Sequence, residues 1–530
     1  MPALSPPSRP DHSHSSGRWA TIQTPPLTSR TLLAALVLLL SGLALLPLLA
    51  LLLFALQEQG STLSLGPAGL EQLLSTVGLV LVVGMGGAIL GTANGWLTAS
   101  CEFSGRRWLR IAQLIPLASP AYLLAATAID LASRSGWRLH GFGWAALVLT
   151  LSTYSYVFLL STESFAVAGR RQLEACRSLG VGPWGSFARV ALPMALPAIG
   201  AGIALSGMEV VNELGAVELF GVPTLSTGIL QRWQNDGDPR SAVALALVAL
   251  LIVTLLVAAE RQLRRRSRRW SLGSAADPSQ RWPLHGWRRT LAQLITLLPP
   301  LLSLGVPLLW ATQSLDQLPL EQGGDLLHLG LRSLSLGLLA AGLTLVAGLG
   351  LALARRWLPT PVLQRLSFLA GMGYAIPGAV LALALMVLGG PWQLSPLLLL
   401  VWGYSDRFLA VSKQGLDAAF ERLPPSLDEA ATGLGCSWFG VLQRVHLPLL
   451  RGPLVVGSLL VFVDVVKELP LTFALRPFDF DTLSVRVFQY ASDERLGAAL
   501  LPALLILLLG LIAALALVPS LEQSSGDGSD

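Results

Sequence analysis

Lysine is nearly absent from this chain: 530 residues hold two, Lys413 and Lys467. A phosphate-binding Gly-x-x-x-x-Gly-Lys-Ser/Thr loop needs a lysine that reaches the β- and γ-phosphates, and neither Val-Ser-Lys-Gln nor Val-Lys-Glu supplies that context. ATP hydrolysis, if the protein depends on it, must come from another polypeptide. Cysteine is as scarce. Cys101, Cys176 and Cys436 stand alone, which excludes a disulfide framework and a Cys-x-x-Cys metal site. The six histidines, at 12, 14, 140, 285, 328 and 446, show no His-x-x-x-His spacing, so no metal is expected to be held by this chain. No Gly-x-Ser-x-Gly elbow occurs, and a serine hydrolase is unsupported. Charge is thin as well: 13% of residues are charged and 53% hydrophobic, which takes the chain out of the soluble globular class.

What the sequence has in place of charge is apolar length. Residues 31–56, 73–97, 242–259, 291–311, 333–354, 366–388 and 496–518 are long apolar runs. Residues 111–131, 142–166, 192–219, 394–410 and 453–473 are also apolar but carry ionisable groups. A bilayer-crossing helix needs about 20 residues, and barrel strands would be nearer half that length and would alternate. The spacing predicts an all-α polytopic membrane protein of about twelve transmembrane helices, six per half.

The net charge of +5 does not point to nucleic acid, because its distribution follows the spans. With the N-terminus inside, most Lys and Arg fall on one side; the opposite loops collect Arg134, Arg138, Arg232, Arg240, Arg476, Arg486 and Arg495. That asymmetry is the positive-inside pattern of a multi-pass membrane protein with both termini cytoplasmic. The expected units are a polar, Pro/Ser-rich tail over 1–30, a first repeat over 31–260, a basic cytoplasmic linker over 261–290, a second repeat over 291–520 and a short tail over 521–530. The tails are expected to be disordered and the linker to lie near anionic headgroups.

One unit is written twice. Glu174-Ala175-Cys176, Gly180 and Val190-Ala191-Leu192-Pro193 return as Glu429-Ala430-Ala431, Gly435 and Val445-His446-Leu447-Pro448, 255 residues later. At the same offset Val210-Val211-Asn212-Glu213-Leu214 faces Val465-Val466-Lys467-Glu468-Leu469. Tyr154-Ser155-Tyr156 resembles Tyr404-Ser405-Asp406, and Ile115-Pro116 and Ser119-Pro120 have a looser counterpart in Ile376-Pro377. An even number of spans per half gives both copies one orientation, a parallel repeat about the membrane normal. Gly180 and Gly435 suit sharp turns with φ > 0. Glu174 and Glu429 offer carboxylates to a partner, and Pro193 and Pro448 suit the first turn of the following membrane helix. The plain alternative is an amphipathic loop helix with a glycine cap, and two copies in register weigh against it.

Inside the spans, Glu209 and Glu213 lie four apart on one helix face, and Asp464 and Glu468 take the equivalent places beside Lys467. Carboxylates at membrane depth are costly unless they face a cavity or a partner, so these four are candidates for a substrate pathway. The structural alternative pairs Glu468 or Asp464 with Lys467 and sets Glu209 across an interface. Glu163 and Asp406 weigh less, since Arg407 and nearby loops offer them partners.

The repeated motif resembles the EAA loop of ABC importer membrane subunits, and the two-by-six arrangement resembles the fused permeases of bacterial ferric-iron uptake. Gly215-Ala216-Val217-Glu218-Leu219-Phe220-Gly221-Val222-Pro223-Thr224 and Lys467-Glu468-Leu469-Pro470-Leu471-Thr472 look like the iron-type outer segments. The resemblance implies a type I importer fold in the bacterial inner membrane. It implies that Glu174, Ala175, Gly180, Pro193, Glu429, Ala430, Gly435 and Pro448 couple to two ATPase subunits, where ATP and Mg bind, and that a periplasmic binding protein delivers the solute. It also leaves thiamine or another small solute open as cargo. An ion-coupled secondary transporter would lack the paired loops.

Overall fold

The apolar runs fold as helices because, in lipid, backbone N–H and C=O groups must be satisfied within the segment. The computed structural model describes residues 27–57, 65–167, 176, 178–271, 281–317, 323–358 and 360–516. The first half contributes α1 (Leu27–Leu56), α2 (Gly66–Ser100), α3 (Arg106–Ala112), α4 (Ala121–Arg134), α5 (Phe142–Val167), α6 (Leu192–Asn212) and α7 (Pro239–Ser271). The second contributes α8 (Trp287–Gln313), α9 (Gly323–Trp357), α10 (Pro361–Ala370), α11 (Gly378–Gly389), α12 (Pro396–Glu421), α13 (Ser426–Gly433), α14 (Leu447–Lys467), α15 (Leu483–Ser492) and α16 (Leu500–Ala516).

Among the described residues nine helices are long and apolar enough to cross a membrane, and eleven spans result if each of two bent pairs counts as one. The remaining sequence-predicted span is α12. It is 26 residues long, but Asp406, Arg407, Lys413 and Asp417 are all buried along it, and that charge hides it from a hydropathy criterion.

The bent pairs, α3 with α4 and α10 with α11, break where proline demands it. A residue before proline is pushed out of the helical region. Ser119 accordingly takes ψ 118° and Ile376 ψ 126°, and Pro120 and Pro377 continue extended at ψ 142° and 137°. Two extended residues in succession turn the second pair through 113°. Of the two dipeptides matched loosely to Ile376-Pro377, Ser119-Pro120 thus does the same mechanical job, while Ile115-Pro116 lies within the helical turn Ile115–Ala118.

The halves are interlocked. α1 packs on α9, α10 and α11 of the second half, and α8 packs on α3, α4 and α5 of the first. Val37 and Ala44 share a core with Leu351, Ala354 and Leu409, while Ala292 joins Leu97 and Phe103. Polar contacts fix the exchange: Gln113 Nε2 donates to Thr296 O at 2.6 Å, Trp310 Nε1 to Asp130 Oδ2 at 3.0 Å, and Trp402 Nε1 to Leu43 O at 3.2 Å. The sequence repeat is therefore not the packing unit.

Within each bundle, helices approach through small residues, as expected where lipid gives no hydrophobic drive to association. A Cβ on Gly91 would lie 2.6 Å from Val157 Cβ, and one on Gly202 2.6 Å from Val157 Cα, so α2, α5 and α6 could not keep this spacing with any other residue there. Large apolar side chains such as Leu39, Leu53, Leu81, Leu298 and Leu338 point outward and form the lipid-facing belt. Two-residue strands, Cys101–Glu102 and Trp282–Pro283, pair in parallel and tie the end of α2 to the segment before α8. Burial at that junction pushes the Cys101 thiol up to about 12, which keeps it inert.

Candidate functional site

Two regions carry the sequence candidates: a pair of equivalent turns, one in each half, and a cavity between the halves.

The turns follow the repeat closely. In the second half α13 places Asp428 and Glu429 in its first turn, where carboxylates favour the positive end of a helix. It closes on Gly435 at φ +85°, with Leu434 N donating to Ala430 O at 3.0 Å and Cys436 N to Ala431 O at 3.0 Å. In the first half Gly180 takes φ +73°, and Val181 N donates to Cys176 O at 2.9 Å, the equivalent bond at the same offset. Both glycines are left-handed, as their sequence positions predicted. Glu174 and Ala175 lie outside the described residues.

Each turn leads into a five-residue π-helical segment, Phe187–Ala191 and Leu442–His446, and then into α6 or α14. Pro193 and Pro448 stand at the start of those α-helical stretches, but a helical turn already precedes them, so the helix does not begin at the proline. The missing N–H and the ring together displace the α-helical bond one turn back, and the π segment takes up the extra residue.

What the turns present is mixed. Glu429 and Ala430 are exposed. So are two leucines beside the glycines, Leu179 at 81% and Leu434 at 87%, with Trp184 and Phe439 behind them. These are equivalent pairs, which composition alone does not single out. The second turn is also clamped to the membrane helices. Asp428 accepts from Arg356 Nε at 2.7 Å and Trp357 Nε1 at 3.1 Å, and pairs with His446 Nε2 at 2.8 Å. Burial alone would raise the Asp428 carboxyl, but the bonds from His446, Arg356 and Trp357 outweigh it and hold it well below the usual carboxylate range. The equivalent positions in the first half are Leu173 and Ala191, which offer neither the carboxylate nor the imidazole of this clamp.

Between the halves lies a cavity of about 130 Å³, and all four intramembrane candidates, Glu209, Glu213, Asp464 and Glu468, line it. They divide into two kinds. Glu213 Oε1 accepts from Ala216 N at 2.9 Å, and Glu468 accepts from Leu471 N at 3.0 Å and Thr472 N at 2.9 Å. These two cap the short helices Gly215–Leu219 and Pro470–Leu475 and mirror one another across the repeat. The other two face inward. Glu209 Oε1 accepts from Tyr156 Oη at 3.1 Å in its own half and from Tyr374 Oη at 3.0 Å in the other. Asp464 Oδ1 pairs with Lys467 Nζ at 2.8 Å, and Lys467 also donates to Leu117 O at 3.2 Å. Asn212 Oδ1 accepts from Gly378 N at 2.7 Å and ties the halves again.

Of the pairings weighed from sequence, Lys467 therefore takes Asp464 and not Glu468, and Glu209 does bond across the interface. Arg407 does not serve Asp406: it donates to Ile376 O at 3.0 Å, and the buried Asp406 carboxylate has no hydrogen-bond partner among the described residues. Successive residues on a helix point about 100° apart, so adjacency in sequence offers no pairing. Among the described residues no group of three or more His, Cys, Asp or Glu could hold a metal ion. Sequence reasoning missed Tyr156, Tyr374 and Asn212; polar side chains in otherwise apolar spans were the available signal.

Tyr374 also lines a second cavity, of about 540 Å³, with Arg261, Arg265, Arg355 and Glu421 around it. Among the described residues it is the one common to the linings of both spaces, and so stands between the inter-half cavity and a wider vestibule.

The family described as binding-protein-dependent transport system inner membrane component matches residues 28–269 and 344–518. The Fe(3+)-transport system permease protein of Haemophilus influenzae is 28% identical over 456 residues, covering 83% of this chain and 88% of that protein. A probable sulfate transport permease of Nephroselmis olivacea is 28% identical across 40% of this chain and 82% of its own length. The molybdenum transport permease of Escherichia coli is 26% identical across 31% of this chain and 80% of its own.

Proposed function

The chain belongs to the family of binding-protein-dependent transport system inner membrane components, and from that premise we propose that it is the permease subunit of an ATP-driven importer of ferric iron. The observation that carries the choice of cargo is the charge of the inter-half cavity. Glu209, Glu213, Asp464 and Glu468 outnumber Lys467 and Arg407 on its walls. Such a lining repels sulfate or molybdate and attracts a cation. Its volume of about 130 Å³ suits an ion with little water. Organic ligands occupy pockets of roughly 300–1,000 Å³, which speaks against thiamine.

The two turns supply the coupling. Each ATPase subunit of a pair takes one turn, Gly180 or Gly435 shaping the bend and Leu179 or Leu434 entering the partner's cleft. Glu174 and Glu429 offer carboxylates to that partner. ATP and Mg bind on the ATPase, the turns and both termini are cytoplasmic, and a periplasmic binding protein delivers the ion to the opposite face. Nucleotide and loaded binding protein then bias a two-state equilibrium between inward- and outward-open forms. Because the membrane helices are exchanged between halves, motion at either turn is felt by both bundles.

The test is uptake of radiolabelled ferric iron by cells that lack their own ferric permease and express this chain with its ATPase and binding protein. Iron uptake undiminished by excess sulfate or molybdate supports the reading. Uptake of either oxyanion in place of iron overturns it.

A further inference from the structure

We infer that Tyr156, Tyr374 and Glu209 form a transit site that ligates the ferric ion directly through phenolate and carboxylate oxygens. The inference rests on the ferric reading of the same cavity and adds the atoms that handle the ion.

Four observations carry it. Two phenols, one from each half, converge on a single oxygen of Glu209, at 3.1 and 3.0 Å. The same cavity holds two further hydroxyls with nothing to bond: Tyr122 Oη and Ser119 Oγ have no hydrogen-bond partner among the described residues, and Tyr122 is only 3% exposed. Buried polar atoms left unsatisfied call for an occupant. Among the described residues neither nearby cation hydrogen-bonds or ion-pairs with Glu209: Lys467 takes Asp464 and Leu117 O, and Arg407 donates to Ile376 O. Finally, Tyr374 sits in the 3₁₀ turn Gly373–Ala375 just before the Ile376-Pro377 break, at the border with the vestibule.

Hard cations prefer oxygen donors, and anionic oxygens most. The phenol–carboxylate–phenol cluster offers three such donors once the phenols give up their protons to solvent. In the absence of the ion the same groups satisfy one another, which keeps the site intact at membrane depth. Because its ligands come from opposite halves, the site is complete only when the halves are close. A swing of the Gly373–Ala375 turn removes one phenolate and releases the ion toward the vestibule. Affinity thus differs between the two states, which alternating access requires.

The experiment uses the permease with its ATPase. Purified complex without binding protein is titrated with ferric nitrilotriacetate and followed by the visible phenolate-to-iron absorption band, and uptake of radiolabelled iron is measured in proteoliposomes with binding protein. Tyr156→Phe, Tyr374→Phe and the double variant are compared at matched levels of ATPase copurification, which excludes misfolded protein. The wild type should show the band. Each single variant should weaken it and lower uptake about tenfold or more, and the double variant should lose it. Iron uptake by the wild type with undiminished uptake in the double variant overturns this inference alone. Lowered uptake in the variants with no band in the wild type also overturns it, since the tyrosines would then only brace the interface. No iron uptake by the wild type overturns the ferric reading, and this inference with it.

Discussion

Replacing Gly180 and Gly435 by residues with side chains should uncouple the protein without unfolding it. The two glycines hold φ +73° and +85°, and a Cβ built at either meets nothing within 4 Å. The penalty is then wholly conformational. A left-handed backbone costs an L-residue about 1–2 kcal/mol, less for Asn and more for a β-branched side chain. One or two kcal/mol changes a population by a factor of roughly 5–30, here the fraction of each turn in its docking shape. The expected order at either site is Gly, then Asn, then Ala, then Val. The turns are distinct sites, one in each half, so the Gly180→Val and Gly435→Val penalties should add in free energy. The assay is copurification of the ATPase with each variant at matched membrane levels, with iron-stimulated hydrolysis beside it. Normal docking in the double valine variant would refute the reasoning, because a turn that tolerates valine is not held in the left-handed shape by its partner. An open site also means that steric collision cannot be invoked to rescue it.

Asp428→Asn should loosen only the second turn, at a cost of about 2–4 kcal/mol for a partly buried carboxylate that leaves Arg356 without its charged partner; limited proteolysis near α13 measures this. The native Asp428 carboxyl titrates below its ordinary range, so its contribution is present above the unfolded value near about 3.9 and is lost only as pH falls through the lower folded value. The gap in protease resistance at α13 between wild type and Asp428→Asn should therefore persist down to about pH 5, and its disappearance at or above that pH would contradict the clamp. Reporters fused within 261–289 and at both turns should all read cytoplasmic, and a periplasmic reading at either turn would overturn the coupling scheme.

The architecture was legible where it depends on periodic or repeated chemistry. Apolar run length gave helices, and the 255-residue offset reappears in α6 and α14, in the two π segments and in the two glycine turns. It was less legible where contacts join segments of equal hydrophobicity. Nothing in the hydropathy of α1 says that it packs on α9 and α10 rather than on α2, because lipid and helix surface are equally apolar. Pro193 and Pro448 suit a first helical turn, where a missing N–H costs nothing, but a short helix and a π segment already precede each of them. The four carboxylates were found by their cost at membrane depth. Their division into two caps and two inward-facing groups required knowing where Ala216, Thr472, Tyr156 and Tyr374 end up. The Asp428 clamp joins the end of α9 to α13 and His446, and no spacing rule links three such distant positions.

The central claim is that this chain converts ATP hydrolysis by a separate subunit into ferric passage through the Glu209 cavity. Proteoliposomes holding the chain with its ATPase, ATP inside and iron-loaded binding protein outside, test it most directly. The account predicts radiolabelled iron accumulation that requires ATP, is lost when the ATPase is omitted, and is abolished by the Gly180→Val/Gly435→Val pair. Accumulation of iron at the same rate without the ATPase, driven by an ion gradient, would contradict it.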